Sequence, residues 1–198
     1  MKKSKTKIVL AIVGVVVLLL AIVSVQSYNG LVSKEEQVSK TWSDVQAQYQ
    51  RRADLVPNLV ATVKGYAQHE QETFQSVVDA RAKATQLKVD AEDLTPERMR
   101  EIQAAQGELS SALGRLMAIA ENYPQLKASE NFSELQAQLE GTENRINESR
   151  QLYNAAVKTY NVSVRRFPSN IFASMFGFEK KSAFEAESGA ATAPTVEF

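Results

Sequence analysis

The chain has 198 residues, with 23 basic and 23 acidic side chains, one histidine and no cysteine. The absence of cysteine excludes disulfides, thiol catalysis, cysteine-type zinc sites and a lipid-modified N-terminal cysteine. Four lysines precede the first apolar run, so the remainder carries 23 − 4 = 19 basic against 23 acidic groups. This weakly acidic body argues against nucleic-acid binding, which depends on Lys and Arg neutralising phosphates.

The N-terminal segment predicts a membrane anchor. After a basic tail (residues 1–7, with Lys2, Lys3, Lys5 and Lys7), Ile8 to Val25 form 18 residues without a charge. As a helix this stretch is about 27 Å long, close to the ~30 Å hydrocarbon core of a bilayer. A cleaved signal peptide is the alternative, but its apolar region is usually about 7–15 residues long. We therefore assign residues 8–27 to an uncleaved, single-pass membrane anchor.

The charges that flank the anchor predict its orientation. After the apolar run, Lys34, Glu35, Glu36 and Lys40 cancel, so positive charge is in excess only before it. The positive-inside rule then places the N-terminus in the cytoplasm and the body outside, which for a bacterium means the periplasm or the cell surface.

Residues 28–178 are predicted to form a helical bundle, whose first helix continues from the anchor or hinges at Asn29-Gly30. Its apolar residues recur in steps of three, four or seven, namely Leu31, Val38, Trp42, Val45, Tyr49 and Val56. A proline lacks the N–H that a helix interior requires, so Pro57 predicts a break. The second helix is then expected from Pro57, in its first turn, to Lys88.

The segment RRADLVPNLVATVKGYAQHE (51–70) concentrates polar residues around this expected break, as a candidate interaction corner: Arg51, Arg52, Asp54, Pro57, Asn58 and His69. A helix–helix corner explains most of them. Arg51 and Arg52 would close one helix, and Asp54 would begin the next, as the helix dipoles favour. The arginine pair could also meet an acidic partner or a lipid phosphate.

Two further helices follow. Thr95 is expected to cap the third helix, with Pro96 in its first position. Asn131 and Glu134 resemble a capping box that opens the fourth. Its apolar residues, from Phe132 to Phe167, alternate steps of three and four, which predicts a long coiled-coil-like helix that stops at Pro168. The predicted fold is all-α: an N-terminal transmembrane helix followed by an elongated antiparallel bundle of about four long helices.

The C-terminal segment changes character. Its phenylalanines, from Phe167 to Phe184, are expected to cap the bundle core, with docking on a membrane or partner as the alternative. Residues 179–198 are assigned to a flexible tail, because their end is rich in Ala, Ser, Gly and Pro.

The sequence offers no catalytic set. HEQET begins like a zinc-protease motif, but Thr73 replaces the second histidine ligand. Tyr66 stands where a di-iron bundle would need glutamate before His69. We predict no enzymatic activity and no cofactor; a metal-dependent enzyme using His69 would need ligands from elsewhere.

Several segments together resemble the LemA family: YNGLV (28–32), TWSDVQAQYQRRADLVPNLVATVKGYAQHE (41–70), ARAKA (80–84), the long segment 116–161 and FPSNIFASMFGF (167–178). The resemblance implies a bacterial membrane protein with one N-terminal span and a helical body, without established catalytic residues or cofactors. One relative is tied to membrane-compartment formation in magnetic bacteria.

These observations favour a membrane-anchored scaffold or adaptor of the bacterial envelope that binds a protein partner. The alternative is a self-associating protein that organises or remodels membranes, with the apolar seam from Phe132 to Phe167 joining two copies. We favour an intramolecular role for that seam.

Overall fold

The computed structural model describes residues 2–87 and 89–185, and it confirms an all-α fold for them, with no strand in these ranges. The helices are α1 (Lys2–Lys64), α2 (Gln71–Gln86), α3 (Pro96–Glu121), α4 (Pro124–Lys127), α5 (Glu130–Arg165) and α6 (Ser169–Phe176). A 3₁₀ turn at Ala91–Asp93 precedes α3. The four long segments of the expected bundle are α1 beyond the apolar stretch, α2, α3 and α5.

The longest helix, α1, has 63 residues and runs without a hinge through Asn29-Gly30. No side chain from Leu10 to Val25 is buried by the rest of the protein. This part of α1 is long and apolar enough to cross a membrane. The helix then continues directly into the body, whose first buried residue is Leu31.

The body is built on an antiparallel pair formed by α1 and α5. The ring centroids of Trp42 and Tyr153 lie 5.5 Å apart. Ten residues further along α1, and ten residues back along α5, Arg52 meets Glu143 at 2.8 Å. The register is therefore constant between these points. The α2–α3 hairpin packs along α1. Helix α6 packs against α5 and against α1 near Tyr28.

The buried apolar residues form two clusters along α1. The cluster closer to the apolar stretch of α1, here called the near cluster, contains Trp42, Ile102 and Tyr153. The cluster at the C-terminal end of α1, here called the far cluster, contains Leu59, Leu116 and Phe132. The α5 seam contributes to both clusters, through Phe132, Ile146, Tyr153 and Tyr160. The expectation that this seam serves an intramolecular core is confirmed for these four residues, whereas Phe167 at its end is exposed.

The predicted helix break at Pro57 is wrong, because Pro57 lies inside α1. The turn comes later, at residues 65–70, and α2 begins at Gln71 rather than at Pro57. A proline at position 57 leaves the carbonyl of Ala53 without its usual N–H donor, four residues on. Arg81 replaces that donor, since its Nε donates to Ala53 O at 2.7 Å. This contact from α2 offsets the lost helical hydrogen bond. The expected end of the second helix, Lys88, lies outside the described residues.

The starts of the other helices agree with the sequence to different degrees. The prediction for α3 is confirmed: Pro96 is its first residue, and Thr95 Oγ1 accepts a hydrogen bond from the Arg98 N–H at 3.2 Å. Helix α5 instead begins at Glu130, one residue before the expected cap at Asn131. It ends at Arg165, shortly before Pro168.

Candidate functional site

The residues of the predicted corner do not form a corner. Because α1 is continuous, it distributes them around a helix: Arg51, Asp54, Pro57 and Asn58 are exposed, whereas Arg52 is buried. Gln50 donates to Asp54 at 2.8 Å, so this carboxylate pairs locally rather than capping a helix start. His69 is exposed in the turn between α1 and α2, as a surface histidine.

Arg52 is the centre of a polar layer, which we define as Arg52 and Gln106, both buried, with Ser110 and Glu143 on its more exposed side. Only 1% of the Arg52 surface is exposed. Its Nη1 donates to Glu143 Oε2 and to Ser110 Oγ, both at 2.8 Å. Its Nη2 donates to the Gln106 carbonyl oxygen at 3.3 Å and to Gln106 Oε1. The layer therefore joins α1, α3 and α5 at one level of the bundle.

The polar layer separates the two apolar clusters. On α1 the near cluster ends at Tyr49 and the far cluster begins at Val56, with Arg52 between them. A buried charge is tolerated only when it is paired and hydrogen-bonded. Glu143 supplies the opposite charge, and its side chain remains 44% exposed. A polar group in an apolar seam specifies the register of neighbouring helices, because any other register leaves it unpaired.

A cavity of about 280 Å³ opens beside the polar layer. Tyr49, Ala53, Ala84 and Gln106 are among its lining residues. The Gln106 amide nitrogen donates to Ala84 O at 3.4 Å, and its amide oxygen accepts from Arg52. The side-chain amide that Gln106 contributes to the cavity wall is thus already engaged, by Ala84 and by Arg52 behind it. Arg52 Nε, by contrast, has no hydrogen-bond partner among the described residues.

Three tyrosines of the α1–α5 interface stay protonated far above neutral pH. Burial raises the pKa of Tyr49, against the opposing charges of Arg150 and Arg52. Burial also raises the pKa of Tyr153. Burial and the nearby Glu35 carboxylate raise the pKa of Tyr160 to about 12. These phenols are suited to packing and hydrogen bonding, and their high pKa values make them poor acids or bases at neutral pH.

The segment after α6, residues 178–185, lies along α5 and is here called the strap. Asn161 binds the backbone of Lys181 in both directions, donating from Nδ2 and accepting at Oδ1, each at 2.9 Å. Asn154 binds the backbone of Phe184 in the same way, at 3.2 and 2.9 Å. The Tyr153 hydroxyl donates to Ser182 O at 2.8 Å.

The strap corrects the expected start of the flexible tail, because residues 179–185 are held by α5. The remaining tail, 186–198, lies outside the described residues. The expectation that the phenylalanines cap the core holds for Phe172 and Phe184, which are 8% and 7% exposed. It fails for Phe167 and Phe176, which are exposed. Asn154 and Asn161 recur at a seven-residue spacing on α5, and they bind backbone groups that carry no sequence pattern.

No group of three or more potential metal ligands occurs among the described residues. The partners of Arg52 and the contact of Arg81 with Ala53 were not predicted from the sequence. The burial of Arg52 itself could have been predicted, because it lies three residues after Tyr49 and four before Val56, on the apolar face of α1.

Comparison with known proteins supplies the family. The chain is 28% identical over 175 residues to magnetosome protein MamQ 1 of Paramagnetospirillum magneticum, covering 80% of this chain and 64% of that protein. A similar match, 28% over 174 residues, joins it to magnetosome protein MamQ of Magnetospirillum gryphiswaldense, covering 79% and 64%. The chain thus spans somewhat less than two thirds of these relatives. Protein LemA of Metamycoplasma hominis is 24% identical over 158 residues, covering 80% of this chain and 68% of that protein. The LemA family model matches residues 41–198, most of the chain, and the chain therefore belongs to the LemA family.

Proposed function

We propose that this LemA-family protein is a single-pass, membrane-anchored scaffold or adaptor of the bacterial envelope that binds a protein partner. The observation that carries the proposal is the continuity of α1, which joins an uncovered apolar stretch to a packed helical body. The 39 residues from Gln26 to Lys64 extend about 60 Å at the usual rise of a helix. Such a body presents long helical faces at a defined distance from the bilayer.

The excess of lysine before the apolar stretch supports a cytoplasmic N-terminus and a body outside the cytoplasm. A non-catalytic role is supported by the polar layer, whose groups are used mainly to bind one another. Neither the family description nor the names of the relatives state a catalytic activity.

The topology is tested with single cysteines, since the chain has none of its own. Gln68→Cys places an exposed thiol in the turn that follows the C-terminal end of α1, away from the apolar stretch, and Ser4→Cys marks the N-terminal tail. Intact cells, or cells with only the outer membrane opened, are treated with a membrane-impermeant thiol reagent. We expect labelling at position 68 and protection at position 4 until lysis. The reverse pattern would place the body in the cytoplasm and refute the proposed side.

The partner is tested by photo-crosslinking in cells at native expression. A crosslinking residue is placed at exposed positions along α2, α3 and α5, one at a time, with the buried Leu109 as the control position. A scaffold should give one defined adduct from positions that share a face and none from Leu109. Adducts only between copies of this chain would instead support self-association. The absence of any adduct from every face would contradict the scaffold.

A further inference from the structure

The membrane-proximal end of the body exposes an apolar surface that no described residue covers. Phe167, Ile171, Met175 and Phe176 are 75%, 54%, 63% and 46% exposed. We call these four residues the foot. Away from this end of the described body, large apolar side chains are exposed only singly. Concentrated apolar surface of this kind marks a site of interaction with a protein or a membrane.

Three of the four foot residues lie on α6 and Phe167 lies just before it; the exposed part of α6 also includes Asn170 and Ser174. Phe172 and Ala173 are buried against the bundle. Ile171 and Met175 lie one turn apart, so they share an outward face. The inner side thus fixes α6 to the body, while the outer side carries apolar groups that do not contribute to the core.

The foot lies at the level where the apolar stretch of α1 ends. The ring of Phe176 packs edge-on against Tyr28, with centroids 5.0 Å apart. Phe178 approaches the same ring at 5.7 Å. Tyr28 is three residues beyond Val25, or about 4.5 Å along the helix axis. If α1 crosses a bilayer, α6 therefore lies in the headgroup region beside it.

Two cations stand next to the foot. Arg165 is the last residue of α5 and Arg166 follows it; both are exposed, and neither forms an ion pair with any described residue. The register set by Trp42 and Tyr153 places Arg165 near Gly30 of α1. A guanidinium binds phosphate oxygens bidentately, which makes arginine suited to lipid headgroups.

We propose that the foot is a second membrane contact, seated at the boundary between headgroups and acyl chains, with Arg165 and Arg166 on the phosphates of anionic phospholipid. A bilayer is the occupant because the foot continues the apolar surface of α1 and is flanked by cations. The inference rests on the proposed membrane anchor. A single helix leaves the body free to rotate about α1, whereas a second contact fixes which face of the body turns away from the membrane.

The test measures immersion depth with the full chain in vesicles. Met175→Cys carries a nitroxide spin label, whose accessibility to oxygen and to a water-soluble nickel chelate reports its depth. Val16→Cys marks the apolar stretch, and Gln68→Cys marks the far turn. In vesicles of phosphatidylcholine and phosphatidylglycerol we expect the Met175 label about 5–10 Å inside the headgroup boundary. The paired changes Arg165→Gln and Arg166→Gln should move it toward water, but not in phosphatidylcholine alone. Arg115→Gln, at an exposed arginine of α3, is the charge-matched control.

The outcomes separate the foot from the anchor. A deep Val16 label with a Met175 label as nickel-accessible as the Gln68 label overturns the foot and leaves the anchor intact. A nickel-accessible Val16 label overturns the anchor itself. A Met175 label shielded from both oxygen and nickel shows that protein covers the surface, and this also overturns the lipid contact.

Discussion

Replacing Glu143 by glutamine tests whether the polar layer depends on charge neutralisation. The change keeps the shape of the side chain but leaves the Arg52 guanidinium buried without an opposite charge. Breaking a fully buried ion pair costs about 3–5 kcal/mol, whereas exposed pairs contribute about 0–1 kcal/mol. The two side chains are 2% and 44% exposed, so this pair lies between those cases. We expect Glu143→Gln to lower the free energy of unfolding by about 2 kcal/mol.

The assay is urea unfolding of residues 28–198, which contain every member of both apolar clusters. The single tryptophan, Trp42, is a natural probe, because it is 2% exposed and its indole nitrogen donates to Val89 O at 2.7 Å. With a denaturant slope of about 2 kcal/mol/M, the midpoint should fall by about 1 M.

The matched control is Glu108→Gln. Glu108 pairs with Lys83 at 2.7 Å, but both side chains are about half exposed (51% and 56%). The control should change stability by less than about 0.5 kcal/mol. If Glu143→Gln changed the free energy of unfolding as little as Glu108→Gln, the charge of Glu143 would not be what stabilises the buried Arg52, and the predicted role of the ion pair would be wrong.

Two further comparisons test single contacts. Arg81→Met should lower the free energy of unfolding by about 1 kcal/mol in the native chain, because it leaves the Ala53 carbonyl unpaired. In the Pro57→Ala background the backbone N–H of residue 57 can bond that carbonyl, so Arg81→Met should lower the free energy by clearly less. Equal losses in the two backgrounds, measured by urea unfolding, would exclude this compensation. Tyr153→Phe removes a hydrogen bond and should lower the free energy of unfolding by about 1 kcal/mol at pH 7. Tyr160→Phe should lower it by less, because the Tyr160 hydroxyl lies near the Glu35 carboxylate but makes no hydrogen bond of ordinary geometry among the described residues. The pKa of Tyr160 rises on folding from 10.0 to about 12. The contribution of this phenol to the free energy of unfolding is therefore fully present below pH 10 and falls as the pH rises toward 12, because the unfolded chain loses the proton first. At pH 11 the Tyr160→Phe variant should therefore gain about 1 kcal/mol relative to the native chain, and an unchanged difference between pH 7 and pH 11 would contradict a raised pKa.

The helical fold could be predicted because amphipathic periodicity is a local property of the chain. The steps of three and four on α5 gave its inward face and its approximate end. The same pattern on α1 contained a seven-residue step from Tyr49 to Val56, and Arg52 fills the missing position within it. An arginine on an apolar face could have been recognised as a buried charge. Its partner could not, since Glu143 is 91 residues away and periodicity gives a face without the register between helices.

The error at Pro57 has a different cause. Local rules correctly state that a proline removes a helical hydrogen bond, but they do not include a donor from another helix. Arg81, 28 residues away, supplies that donor only after α2 has packed on α1. The strap was missed for a related reason, because Asn154 and Asn161 bind the backbone of Phe184 and Lys181. Composition describes side chains and says little about where backbone groups find partners.

If α1 spans a bilayer as proposed, its unbroken course makes the body a rigid extension of the membrane helix. Transmembrane helices tilt by about 20° on average, and a bilayer of different thickness changes that tilt. Over the ~60 Å between the end of the apolar stretch and the turn at residues 65–70, a 20° tilt displaces the far end by about 20 Å. Pro57 lies on this arm and Arg81 contacts the arm from α2, so the contact that offsets the proline also supports the helix along this length. A partner bound at the far turn would thereby experience changes in membrane thickness as changes in position.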